Sequence, residues 1–298
     1  MLKIILDLYS GRPNPEYTLS DKTAEKFLRE VALNKGTTTE IQSVTPTQLG
    51  FRGIHFTFES DYLPQFYGLP ASFSIANGAS ILESKGREIA ESLLNDLPSF
   101  TRVFRHDPIP DVTLNKWIST QLKDMPFVLF PRNVKPERFE LEDATLPCPY
   151  EKVAFQPDFW NQSDHVRKNN CYNFATNRRT DSFAQPGRAA GQMYNSINCE
   201  EVMKGALADG SHKSDSCFQE SEIPRFLMAL VVAPGPDFID YHWYRQCSDG
   251  NWAHKPGQTL ARATDNSNRV ITDPSTADRG PYTQFCGYLL APKSLKVQ

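Results

Sequence analysis

Asn169-Asn170-Cys171-Tyr172-Asn173-Phe174-Ala175-Thr176-Asn177 is the stretch on which the reading of this chain turns. Its composition predicts one or two helical turns, with Cys171 in the first turn and Asn170 as the cap. Free backbone N–H groups at a helix start stabilise a thiolate and receive an oxyanion. Phe174 and Ala175, three and four residues on, fall on the inner face and hold the sulfur in place. The polar approach Lys168-Asn169-Asn170 argues for an exposed helix start, against the competing reading of a cysteine buried beside Phe174.

Downstream, the apolar run 225–233 reads as a strand bounded by Pro224 and Pro234-Gly235-Pro236. The aromatic strand 241–246 follows, with His242, Tyr244 and Gln246 on one face and Trp243 and Arg245 on the other. Ser248-Asp249-Gly250-Asn251 turns it into Trp252-Ala253-His254-Lys255, a hairpin that returns His254 towards His242. A thiol is only partly ionised at neutral pH, so an imidazole is needed to raise its thiolate fraction and protonate the leaving amine. That imidazole needs a second polar group to fix its tautomer. The spacing assigns Cys171 as nucleophile, His242 as base and acid, and His254 as the orienting residue. Asn170, Trp243, Tyr244 and Trp252 are candidates for the substrate cleft.

Cys171, Tyr241-His242-Trp243-Tyr244 and Asp249-Gly250-Asn251-Trp252-Ala253-His254 together resemble the papain-like amidases and peptidases of the NlpC/P60 kind, over residues 155–290. The resemblance implies a papain-like domain with a helix packed on an antiparallel sheet, a thiol protease or amidase chemistry, a peptide or amide substrate and no cofactor. The chain departs from the family pattern around the cysteine, where Asn170, Tyr172 and Asn173 replace its usual Asp before and Ser-Gly after.

The first half carries no catalytic spacing. Leu2, Ile4, Leu6 and Leu8 alternate as one face of a strand, ended by a turn at Ser10-Gly11-Arg12-Pro13 that leads to a helix over 21–33 with Ser20 as its cap. A strand over 54–58 holds His55 as a structural or surface residue, and helices are expected over 85–97 and 112–122. The proline-rich segment 125–151 supplies the domain junction. The expected fold class is therefore α+β: an N-terminal α/β domain over 1–145, with a scaffold, recognition or partner-docking role, and a papain-like domain over 146–298.

The chain has 298 residues, a formal net charge of −3, 22 prolines and 16 glycines. That length buries a substantial core, the glycines and prolines predict many turns, and the charge gives no basic field for nucleic acid. No apolar run reaches eighteen residues, so no membrane span is expected. Ile4-Ile5-Leu6 is too short for a secretory h-region, which points to a cytoplasmic protein or one exported without a classical signal. All six cysteines fall at or after Cys148, with Cys199–Cys217 the favoured local bridge. Residues 199–221 read as a flexible excursion with His212 exposed near its tip.

Two rival functions stand beside the hydrolase. One is a transglutaminase-like acyl transferase using Cys171, His242 and an aspartate, Asp265 or Asp273, in a segment also considered for calcium. The other is a non-enzymatic binding or toxin-like protein on the same fold, favoured if Cys171 is buried.

Overall fold

In a computed structural model, the chain is described at every residue except 20, 42–47, 60–61, 98–100, 103–113, 125–147, 215–216 and 218. The protein is α+β, with helices and two antiparallel sheets. It divides into two compact units. The first comprises Met1–Leu8, Asn14–Pro46 and Phe51–Asn133, and the second Tyr9–Pro13, Thr47–Gly50 and Val134–Gln298. The expected junction at 125–151 lies largely outside the described residues, as do Ser20 and the start of the expected helix over 112–122.

In the first unit, strands β1 (Leu2–Asp7), β2 (Glu16–Leu19), β3 (Gly53–Phe58), β4 (Ser72–Ile75) and β5 (Thr101–Arg102) form one sheet in the order β4-β3-β1-β2-β5. The pairings are antiparallel throughout. Helices α1 (Asp21–Leu33), α2 (Tyr62–Tyr67), α3 (Glu83–Asp96) and α4 (Leu114–Asp124) complete it. Phe27 of α1 stacks on Phe56 of β3, which stacks on Phe73 of β4, each at 4.9 Å between centroids. The turn after Gly11 leads into β2, so it joins two strands and not a strand to a helix.

One alternating face was expected of β1, yet it is buried on both sides from Ile4 onward, and Asp7 goes under with it. A buried carboxylate is tolerated only when paired and hydrogen-bonded. Asp7 accepts from Arg52 Nη2 at 2.6 Å and from Asn14 Nδ2 at 3.0 Å, and meets His55 Nε2 at 3.1 Å. His55 Nδ1 in turn meets Ser74 Oγ at 2.5 Å. Burial works against the charge on Asp7, but the Arg52 guanidinium and His55 outweigh it and hold the carboxyl well below the usual range. His55 is thus an interior crosslink of three strands, not a surface residue.

In the second unit, β6 (His212–Lys213), β7 (Phe226–Pro234), β8 (Ile239–Gln246), β9 (Trp252–His254) and β10 (Gln284–Ala291) form a sheet in the order β6-β10-β7-β8-β9, again antiparallel. β7 is central, which is why its apolar run does not alternate: both faces are covered. Short helices α5 (Pro157–Trp160), α6 (Ser163–Val166) and α7 (Cys171–Ala175) precede α8 (Cys199–Ala208). α7 packs on β8, and α8 packs on β7 and β10.

Part of the expected excursion is therefore a regular helix. Asn198 caps it by accepting from Glu201 N at 2.9 Å, and Val202 and Ala206 are buried. The bridges are Cys148–Cys217 and Cys199–Cys286, in place of Cys199–Cys217, because α8 lays Cys199 against β10. Cys171 and Cys247 are free and buried. His212 is half-buried in β6, where it pairs with Leu290.

Candidate functional site

The helix start at Cys171 is the natural place to begin. Asn170 is extended (φ −111°, ψ −166°) and its Oδ1 accepts from Tyr172 N and Asn173 N, both at 3.1 Å. Asn173 Oδ1 returns the bond to Asn170 N at 3.1 Å, closing a capping box. Asn170 Nδ2 donates to Gly11 O at 2.9 Å and Ala184 O at 2.7 Å. Gly11 O also accepts from Gln185 Nε2 at 2.8 Å and Tyr241 Oη at 3.2 Å. Any side chain at position 11 would collide with Tyr241, since a Cβ there would lie 2.3 Å from its ring.

The far end of α7 is closed as tightly. Arg245 Nη1 donates to Phe174 O at 2.9 Å and to Asn177 Oδ1 at 2.7 Å, and the guanidinium lies 4.4 Å from the Phe174 ring centroid. Asn177 has φ +55°, a left-handed position that asparagine tolerates just after a helix. The N–H groups of Tyr172 and Asn173, which a thiol hydrolase would aim at a developing oxyanion, are spent on the cap.

Cys171 itself is fully buried, and so are Asn169 and Asn170; of the polar approach only Lys168 is exposed. This corrects the expectation of a surface helix start. The asparagines enter the interior because their amides are satisfied there, Asn169 by His165 O and Asp181, and Asn170 by its cap and loop contacts. Burial pushes the Cys171 thiol well above its ordinary pKa, and the Asp240 carboxylate adds to the effect. Hydrogen bonds from the Trp243 and Cys171 backbone and the charge of Lys255 act the other way and are outweighed. The thiolate that nucleophilic chemistry needs is not populated near neutral pH.

The hairpin does bring the two histidines together. His242 Nε2 and His254 Nδ1 are 2.8 Å apart, and His254 Nε2 lies 3.0 Å from Thr264 O. A carbonyl only accepts, so His254 Nε2 carries the proton, its Nδ1 accepts, and His242 Nε2 donates. Burial, and then the Arg262 charge, push His254 down to about 3, although its bond to Thr264 favours the charged form. Tyr244 stacks on the His254 ring at 5.0 Å and meets the His242 ring edge-on at 4.7 Å. The cleft candidates Asn170, Trp243, Tyr244 and Trp252 are all buried, at 0, 0, 1 and 4 % exposure.

Three features had no local signal. Lys255 is fully buried, and its Nζ donates to Val166 O at 2.5 Å, Asn169 O at 2.6 Å and Gly257 O at 2.7 Å. It thereby fastens the α6–α7 connection to the hairpin. Asp240, also buried, accepts from the backbone N–H groups of Ser10 at 2.6 Å, Gly11 at 3.3 Å and Arg12 at 3.0 Å, and from Tyr282 Oη at 2.5 Å. Successive N–H groups aimed at one carboxylate form an anion nest. Burial raises the pKa of Asp240 in spite of these donors. The third feature is the pair of bridges, whose partners lie 69 and 87 residues apart.

The acidic segment behind the acyl-transferase reading is bound up in its own turns. Asp265 accepts from Arg269 N at 2.9 Å and Asp278 N at 3.1 Å, and Asp273 from Ser275 N at 2.8 Å. Among the described residues no group of three or more histidines, cysteines or acidic residues is placed to hold a metal ion. Nor, among them, is any helix long and apolar enough to cross a membrane.

Fold and site thus define a disulfide-braced α+β protein whose most chemically suggestive residues are packed into its interior. The chain is 49% identical over 137 residues to insoluble matrix shell protein 1 of Ruditapes philippinarum, a match covering 46% of this chain and 88% of that protein. It belongs to the family of that protein. No protein-family model matches the chain, and no solved structure matches it. Kinship with a shell matrix protein overturns the thiol protease, peptidase and amidase reading of Cys171, His242 and His254, and the peptide or amide substrate loses its support with it.

Proposed function

We propose that this chain is a non-enzymatic structural component of an insoluble extracellular matrix of the shell type. The observation that carries the reading is its 49% identity with insoluble matrix shell protein 1 across 88% of that protein. The two bridges support it, since disulfides persist outside the reducing cytosol. So does the closed interior: a buried thiol of raised pKa and a buried, neutral His254 serve packing and suit a protein built to last, not to turn over. On this reading the chain is exported, and its partners are other matrix components, engaged through its surface.

The test is fractionation of the tissue that expresses it. Shell matrix is decalcified, extracted with salt and denaturant, and the residue is digested for peptide mass spectrometry. The chain is expected in the acid- and denaturant-insoluble residue. Recovery solely from the soluble cytosolic fraction would overturn the proposal.

A further inference from the structure

The chain contains a single Asn-x-Ser/Thr triplet, Asn161-Gln162-Ser163. Such a triplet is an acceptor for N-linked glycan only in an exported protein and only where the chain presents it at the surface. This one lies between two short helices. Asn161 closes α5, its N–H donating to Pro157 O at 2.8 Å, and Ser163 opens α6. Gln162, Ser163 and Asp164 are exposed, as are Asp158 and Phe159 on the other side.

The Asn161 side chain is half-buried and held by one atom. Its Oδ1 accepts from Ala261 N at 2.7 Å, which turns the carbonyl inward. Among the described residues its Nδ2, the atom that carries a glycan, makes no hydrogen bond. A glycan on Nδ2 therefore breaks no internal contact and leaves the bond to Ala261 in place. We infer that Asn161 is an N-glycosylation site, an inference that rests on the chain being exported as proposed above. The donor would be a lipid-pyrophosphate-linked oligosaccharide. A bond forms between Nδ2 and the sugar anomeric carbon, the bond from that carbon to the pyrophosphate oxygen breaks, Nδ2 loses a proton, and the lipid pyrophosphate leaves.

The full chain is expressed in cultured insect cells behind a cleavable secretion signal. The product is treated with peptide N-glycosidase and mapped by mass spectrometry, with the disulfides mapped in the same sample. The expected result is one glycan, released with conversion of residue 161 from Asn to Asp. Asn161→Gln and Ser163→Ala should each abolish it, whereas Ser163→Thr should keep it. Ser163→Ala leaves the Asn161–Ala261 bond intact, so its result does not depend on whether Asn161→Gln folds. A secreted chain with both bridges formed and Asn161 unmodified would overturn the inference while leaving the matrix reading untouched. A glycan that persists in Ser163→Ala would overturn it too. A chain occupied at Asn161 in shell-forming tissue yet absent from the insoluble matrix would uphold the site and sink the matrix reading.

Discussion

Acidification should loosen the second unit through His254, and the size of the effect follows from its surroundings. In the native protein His254 stays neutral down to about 3, chiefly because it is buried. In the unfolded chain the ring takes up its proton near 6.5. Between those values the unfolded state binds one more proton than the native state, so stability falls as pH falls. The contribution is intact above 6.5, reduced by about 2.7 kcal/mol at pH 4.5, and reduced by about 5 kcal/mol once pH passes below 3. Asp240 acts with the opposite sign, since its raised pKa means that the native state holds a proton the unfolded chain has released. His254→Gln separates the two: the amide keeps a donor for Thr264 and an acceptor for His242 but does not titrate. Urea unfolding of both proteins at pH 7 and pH 4.5 provides the assay. The variant should be less stable at pH 7 and lose about 2.7 kcal/mol less than the parent between the two pH values. Equal losses would refute the reasoning.

Three further outcomes are expected. Asp7→Asn removes the charge that offsets buried Arg52 and should cost about 3–5 kcal/mol in chemical denaturation, far more than a surface carboxamide change. Replacing Cys199 and Cys286 together by serine opens a bridge spanning 87 residues. Chain entropy puts the loss near 4–5 kcal/mol, read as a lower thermal midpoint under non-reducing conditions. Asn170→Ala strips the α7 cap and removes one of the donors to each of Gly11 O and Ala184 O, for a loss of about 2–4 kcal/mol measured by urea unfolding.

Local pattern carried much of the fold. The periodicity of Ala24, Phe27, Leu28 and Val31 gave α1 its bounds, and the breaks at Pro224 and Pro234-Gly235-Pro236 framed β7 within a residue. The glycine turn at 248–251 placed β8 and β9, and with them the His242–His254 pair. Helix α8 does carry a local signal, since Asn198 followed by Glu201 is a cap pattern. What local pattern does not carry is the partner of a polar residue far along the chain. Asp240 lies in the aromatic-rich strand β8 and finds its donors at Ser10 to Arg12; Lys255 finds carbonyls at 166 and 169. The same blindness produced the hydrolase reading. Asn169 and Asn170 look like a solvated approach until their amides are seen to be consumed inside, and only then does Cys171 read as a packed thiol.

Counting reactive thiols on the intact protein tests that claim most directly. With four cysteines bridged, Cys171 and Cys247 are the two thiols available to Ellman's reagent. Neither should react in native buffer at neutral pH, and both should react once guanidinium unfolds the chain. Rapid native labelling of Cys171, with a rate that rises well below the ordinary thiol pKa, would contradict the account.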